Sequence, residues 1–326
     1  MSETPRGEAE SRSVRVPPEY DATFRERIAK NKRNSLFLFA VFFAFVVVFG
    51  YVLGYAYIGD PVGAVFGIFV ALLLGTVSGL VSYYAGDKMV LAASRAKQVT
   101  HDERPVLFNV VEEMRIASGL PMPKVYVIDD SAPNAFATGR DPEHASVAVT
   151  TGLLQKLDRD ELQGVIAHEM AHVANFDIRY SMLVGILVGT VVLASDFFLR
   201  TLWWGGGRNR GGNSGGGGYV QIIMLVLALV LAILAPLFAR LLQLSISRQR
   251  EYLADATAVK LTRNPKGLAD ALQKISGDRD VLEVANRATS HLYIVNPVKG
   301  FEKRAKSMFS THPPIEERIA ILRAME

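Results

Sequence analysis

Two adjacent runs of 23 residues, Leu36 to Ile58 and Val62 to Tyr84, contain no charged side chain, and only Gly59-Asp60-Pro61 separates them. About 20 apolar residues in a helix span the hydrocarbon core of a bilayer, and a helix satisfies its own backbone hydrogen bonds there. Two such runs back to back constrain the chain first of all to a helical membrane hairpin. Tyr219 to Ala239 supplies 21 more uncharged residues. Tyr180 to Ser195 supplies 16, and it reaches spanning length only if extended to Trp204 across Asp196 and Arg200. Those two are an i, i+4 pair able to satisfy each other near an interface. Four hydrophobic helices are therefore expected.

Arg25, Arg27, Lys30, Lys32 and Arg33 lead into the first run, the loop on its far side has no Lys or Arg, and Lys88, Arg95, Lys97 and Arg104 follow the second. The positive-inside rule puts the N-terminus and the segment after Tyr84 in the cytoplasm, in a multi-pass protein of the cell membrane. A cleaved signal peptide fits poorly, because the first run begins late and is too long for an h-region. The chain divides into a polar N-terminal tail (1–34), a transmembrane hairpin (35–84), a polar segment (85–180), a second hydrophobic pair (181–242) and a polar C-terminal segment (243–326). The second pair encloses a glycine-rich stretch, 205–218, that reads as a flexible loop. With 36 Lys+Arg against 32 Asp+Glu, the net charge of +4 gives no nucleic-acid footprint. The absence of cysteine excludes disulfides, thiolate metal sites and a thiol nucleophile. Any metal must be held by His, Asp or Glu.

The polar segments read as a soluble-type domain of α+β character with a small sheet. Pro105 to Ser118 is expected as an amphipathic helix stopped by Gly119, and Lys124 to Ile128 as a strand. Pro133 to Gly139 is turn-rich at both ends. Ala145 to Thr150 reads as a strand, either inside a sheet or free to pair with an extended substrate. Leu157 to Asn175 is a helix with Asp158 as N-cap and Leu162, Val165, Ile166, Met170 and Val173 on its apolar face. Leu241 to Thr262 reads as one helix, broken at Asn264-Pro265 and followed by a helix from Gly267 to Ser276. A last helix starts at Ile315, after His312-Pro313-Pro314.

The Leu157 to Asn175 helix carries His168-Glu169-Met170-Ala171-His172, an HExxH pattern. Residues four apart on a helix lie about 40° apart around its axis, so both imidazoles face one side and can share one Zn²⁺. Glu169 lies between them, placed to reach a water on that metal rather than the metal itself. Tetrahedral zinc requires a third protein ligand and keeps a fourth position for water in a catalytic site. Glu251-Tyr252-Leu253-Ala254-Asp255 offers two carboxylates on one helical face: Glu251 to bind the metal, and Asp255 to accept a hydrogen bond from a ligand imidazole. Two expected spans separate His172 from Glu251, which returns both to the same side of the membrane. The chemistry expected is amide hydrolysis, with Glu169 taking a proton from the acidified water and handing it to the leaving amine. His312, held before two prolines, is a candidate donor to the oxyanion. His101, His144 and His291 have no comparable context.

Together these residues resemble the HtpX family of membrane zinc endopeptidases, gluzincins related to the CAAX prenyl proteases. The likeness covers roughly residues 30 to 326: two N-terminal spans, Asn134-Ala135-Phe136-Ala137-Thr138-Gly139, the HEMAH helix, two further hydrophobic segments, Arg250-Glu251-Tyr252-Leu253-Ala254-Asp255 and His312-Pro313-Pro314. It implies zinc ligands His168, His172 and Glu251, Glu169 as base and Asp255 behind the ligands. It also implies that Asn134 and His312 hold substrate or oxyanion. Such enzymes are linked to quality control of damaged membrane proteins, so the partners implied are protein substrates, membrane proteins foremost, and the lipid bilayer.

Spacing alone adds a location. His172 is nine residues before Ser181, a helical rise of roughly 13 Å, which puts the metal within about 15 Å of the cytoplasmic membrane face. Two other readings use the same ligands: a metal transporter or sensor, and an inactive membrane scaffold with structural zinc. The first needs ionisable residues inside the spans, and apart from Asp196 and its partner Arg200 there are none. The second has no use for Glu169.

Overall fold

The computed structural model describes residues 24–184, 200, 222, 225–227, 229–230, 248–278, 280, 282, 293–294 and 313–326. Its first two helices, α1 (Phe24–Ile58) and α2 (Pro61–Ala93), form a hairpin. Gly59 takes a left-handed φ of 88°, Asp60 caps α2 by accepting the Gly63 N–H at 2.7 Å, and Pro61 opens the first turn. The helices touch backbone to backbone at Gly50, Gly54, Gly63 and Gly67: a Cβ on Gly54 would overlap the Gly63 carbonyl, and one on Gly67 the Gly50 carbonyl. The other face of α2 exposes Val62, Val65, Phe66, Phe69, Leu73 and Leu74 at helical spacing. This helix is long and apolar enough to cross a membrane, and α1 contains a shorter apolar stretch, Phe39–Tyr55. The described residues thus carry one clear spanning helix rather than four. Apart from the helical residues 180–184 and isolated helical positions, the third and fourth expected spans and the glycine-rich loop lie outside the described residues.

Beyond the hairpin the chain is mostly helical around a small mixed sheet. The strands are β1 (Lys97–Gln98), β2 (Lys124–Ile128), β3 (Ala135–Thr138) and β4 (Ser146–Thr150), in the order β1-β2-β4-β3. The pair β2–β4 is parallel, with Val125 opposite Val147; β1–β2 and β3–β4 are antiparallel. The strand expected at Ala145 to Thr150 is therefore interior, paired on both sides, and it is β3 that lies at the rim. The strand falls between the two turn-rich ends of Pro133 to Gly139, a middle stretch to which the sequence pattern assigns no structure. The intervening helices α3 (Pro105–Ser118) and α4 (Thr151–Lys156) lead to α5 (Arg159–Ala174). Gly119 ends α3 with a φ of 69°.

Asp158 caps α5 in a reciprocal box: its side chain accepts the Glu161 N–H at 3.0 Å while Glu161 accepts the Asp158 N–H at 2.9 Å. Lys274 pairs with the same Glu161 carboxylate at 2.7 Å, which ties α5 to α7 (Pro265–Gly277). Sequence periodicity gave α5 one apolar face, but it is buried on nearly every side, against β3, α3, α6 (Arg248–Thr262) and α7. Gly164 makes this possible, since a Cβ there would sit 2.7 Å from the Leu268 nitrogen. The core around it includes Val110, Val147, Val149, Val165, Ile166, Met170 and Leu272. Leu322 of α8 (Ile315–Arg323) closes it.

Candidate metal centre

His168 and His172 project from one face of α5 because they stand four residues apart, and Glu251 meets them from the first turn of α6. The His168 and His172 Nε2 atoms are 3.2 Å apart. Glu251 brings Oε2 to 3.8 Å from His168 Nε2 and Oε1 to 3.6 Å from His172 Nε2. Tetrahedral coordination at the usual ligand distances has edges of about 3.3–3.6 Å. Among the described residues these three form the one cluster able to hold a metal ion.

The groups behind the ligands fix how the rings face. His168 Nδ1 lies 2.9 Å from Asp255 Oδ1, and His172 Nδ1 lies 3.1 Å from Asp177 Oδ2. Each carboxylate accepts a hydrogen bond from Nδ1–H, which turns both Nε2 lone pairs toward the same point. Two facing lone pairs repel unless a cation lies between them. With His172 neutral, as a metal ligand must be, the buried carboxylates of Glu169, Asp177, Glu251 and Asp255 outnumber the guanidiniums of Arg250 and Arg318 that pair with them among the described residues, an excess that a divalent cation would offset. The residues present fit a divalent metal.

Glu169 is 2 % exposed and accepts the Ala137 backbone N–H from β3. Burial raises its carboxyl to about 7, further aided by the Glu251 charge, although His172 opposes the rise. For His172 burial acts downward, but the Asp177 hydrogen bond and the Glu251 charge outweigh it and lift the imidazole to about 9. His168 moves the other way, because burial there exceeds the help of Asp255. Asp255 stays below the ordinary carboxylate range: burial works against that, and Arg318 overcomes it.

Two members of this cluster escaped sequence reading. Asp177 stands five residues after His172, which on a straight helix would place it well round the axis. The helix is not straight. α5 ends at Ala174, Phe176 takes a φ of 61°, and helix resumes at 177–184, so the bend swings Asp177 back under His172. The rise of a single straight helix from His172 to Ser181 is corrected by the same bend. Arg318 sits in the apolar stripe of α8 with Ile315, Ile319 and Leu322, and a cation in such a stripe was the available signal.

The other expected residues lie as follows. Asn134 is buried just ahead of β3, where its carbonyl accepts the Thr150 N–H at 3.0 Å and its Oδ1 accepts the Ala135 N–H at 3.1 Å. His312 and His291 lie outside the described residues. His101 and His144 are exposed, next to Asn109 and Asp141 respectively.

Residues 101–326 match the family model of peptidase family M48. The chain belongs to peptidase family M48. Its curated relatives include the "Protease HtpX homolog" of Streptococcus mutans, 47 % identical over 294 residues that make up 90 % of this chain and 97 % of the relative. The proteins of that name from Listeria monocytogenes (44 % over 311 residues, 92 % and 99 %) and Dictyoglomus thermophilum (43 % over 311 residues, 93 % and 95 %) are similar. Membership of M48 makes the chain by class a metalloprotease, and the HtpX resemblance read from its motifs stands. Among solved structures, S. mikatae Ste24p aligns with a TM-score of 0.43 at 20 % identity, over 85 % of this chain and 62 % of that one.

Proposed function

We propose that this M48 protein is a membrane-integral zinc endopeptidase that hydrolyses peptide bonds of membrane or misfolded proteins at the cytoplasmic face, in protein quality control. The observation that carries the reading is the meeting of His168, His172 and Glu251 at coordination distance, with Glu169 beside them on the same helix. In this reading one Zn²⁺ per chain is held by the two Nε2 atoms and a Glu251 oxygen. Zinc, when bound, polarises the scissile carbonyl and lowers the pKa of water in contact with it. Glu169 removes a proton from the attacking water and returns it to the leaving amine. Asp255 holds the His168 ring in its tautomer. Asn134 and His312 hold the substrate or the developing oxyanion.

Where the catalytic half is tied down supports the choice of membrane-protein substrates. The charge-free run of α2 ends at Tyr83 and Tyr84. Arg140, after β3, lies over the Tyr84 ring at 5.4 Å, and Arg179, after α5, lies over Tyr83 at 5.9 Å. Aromatic rings at the end of an apolar helix suit the bilayer interface. The helix that carries Glu169, and β3 beside it, are thereby anchored next to the end of α2, and the basic residues flanking the hairpin favour the cytoplasmic side.

The test is a Glu169→Gln variant in proteoliposomes with a membrane-protein substrate. It should keep its zinc and lose cleavage by about 10²–10⁴-fold; cleavage at the parent rate would sink the assignment. Reporter fusions at Asn209 test the membrane topology, and a cytoplasmic signal there would contradict two full crossings between His172 and Glu251.

A further inference from the structure

Arg318 lies on α8, outside both motifs that supply the metal-facing side chains. It is 1 % exposed, and a guanidinium so buried is strongly unfavourable unless its donors are met. Its donors are met at the centre. Nε lies 2.8 Å from Asp255 Oδ2 and Nη2 lies 2.7 Å from Asp255 Oδ1, a two-pronged grip on one carboxylate. Nη1 is 3.4 Å from Glu251 Oε2 and donates to the Ile294 carbonyl at 3.3 Å. Nη2 also stands 3.4 Å from His168 Nδ1.

We infer that Arg318 is a positioning residue of the metal centre, orienting two of its three metal-facing groups from a third helix. The grip fixes the plane of Asp255, so that Oδ1 alone is offered to His168 Nδ1 at 2.9 Å and the ring is held with Nε2 toward the metal. The remaining nitrogen, anchored on the Ile294 carbonyl, stands 3.4 Å from Glu251 Oε2 and draws that oxygen toward it by charge. His172 is served by a looser arrangement, with Asp177 backed by Arg250 at 3.7 Å. A lysine at 318 would supply the charge but not the planar fork that meets Asp255 and Glu251 together. This inference rests on the zinc peptidase reading above.

Charge and orientation make opposite predictions, which is what makes the idea testable. By charge alone, removing a cation 3.4 Å from Glu251 should tighten binding of a divalent metal. By orientation, the removal should weaken it. In the full-length protein in detergent, zinc affinity is measured by competition with a chromogenic chelator, and the visible spectrum of the cobalt-substituted form reports coordination geometry. Arg318→Lys and Arg318→Gln should each weaken zinc about 10–100-fold and alter the cobalt spectrum. At saturating zinc they should lower kcat while leaving KM within about twofold of the parent. Because Arg318→Gln strands a buried Asp255, the paired Arg318→Gln, Asp255→Asn variant removes both charges and should show the same loss. Folded variants with unchanged or tighter zinc binding and the parent cobalt spectrum would overturn the inference. A parent protein that neither binds zinc nor cleaves would overturn the peptidase reading instead.

Discussion

The α1–α2 hairpin and the α5–α6 contact are both tight helix pairs, and they are built on opposite means. In the hairpin, glycines remove side chains so that backbones touch, and the outward face of α2 from Val62 to Leu74 exposes large apolar side chains. At α5–α6 the contact is made by His168, His172, Glu251 and Asp255, groups that would repel or remain unsatisfied without one another and a cation. Packing by deletion of atoms is sensitive to volume and indifferent to charge; packing by ionic groups is the reverse. The two regions should therefore fail under different substitutions.

The largest effect is expected from Glu251→Leu, which keeps approximate volume and removes the carboxylate. Zinc binding and cleavage should fall by about a thousandfold or more, while the membrane-inserted fraction stays at the parent level. A variant that still cleaved would remove Glu251 from the centre. Gly67→Leu reverses the test. It should force α1 and α2 apart at a penalty of about 1–3 kcal/mol or more, seen as earlier thermal unfolding in detergent, with zinc affinity within twofold of the parent. Loss of zinc in that variant would show the two regions to be coupled. Asp177→Asn should weaken zinc roughly tenfold, since it loosens one ring and leaves the ligand in place. Smallest is Ser94→Ala. Ser94, at the end of α2, shares a 3.1 Å hydrogen bond with Tyr293, whose ring packs edge-on against Phe136 of β3. Its loss should destabilise by about 1 kcal/mol, measured by denaturant titration, and leave catalysis unchanged.

Much of this was legible in the sequence because it is local. Pro105–Ser118 and Lys124–Ile128 have the bounds that capping signals and alternation indicate, and Asp158 caps α5 as its position suggests. The four-residue spacings of His168 with His172 and of Glu251 with Asp255 put each pair on one helix face. What stayed hidden depends on non-local partners. Ala135–Thr138 is a strand because β4 is beside it, not because Ala-Phe-Ala-Thr favours extension. Asp177 is found only through the turn at Phe176, and Arg318 only through the fold that sets α8 against α6. The isolated β-branched pattern at Ser146–Thr150 correctly indicated a strand but could not say which of its edges were filled.

The two histidines and the glutamate come from helices separated by the whole stretch 175–247, which includes the second hydrophobic pair. An ion bound there would act as a staple across that stretch, adding to the apolar packing that already joins α5 to α6 and α7. Occupancy at a hundredfold excess over the dissociation constant would add about 2.7 kcal/mol to the folded state. Starvation for the metal would then do more than silence the enzyme: it would loosen the molecule along this seam and expose it to other proteases.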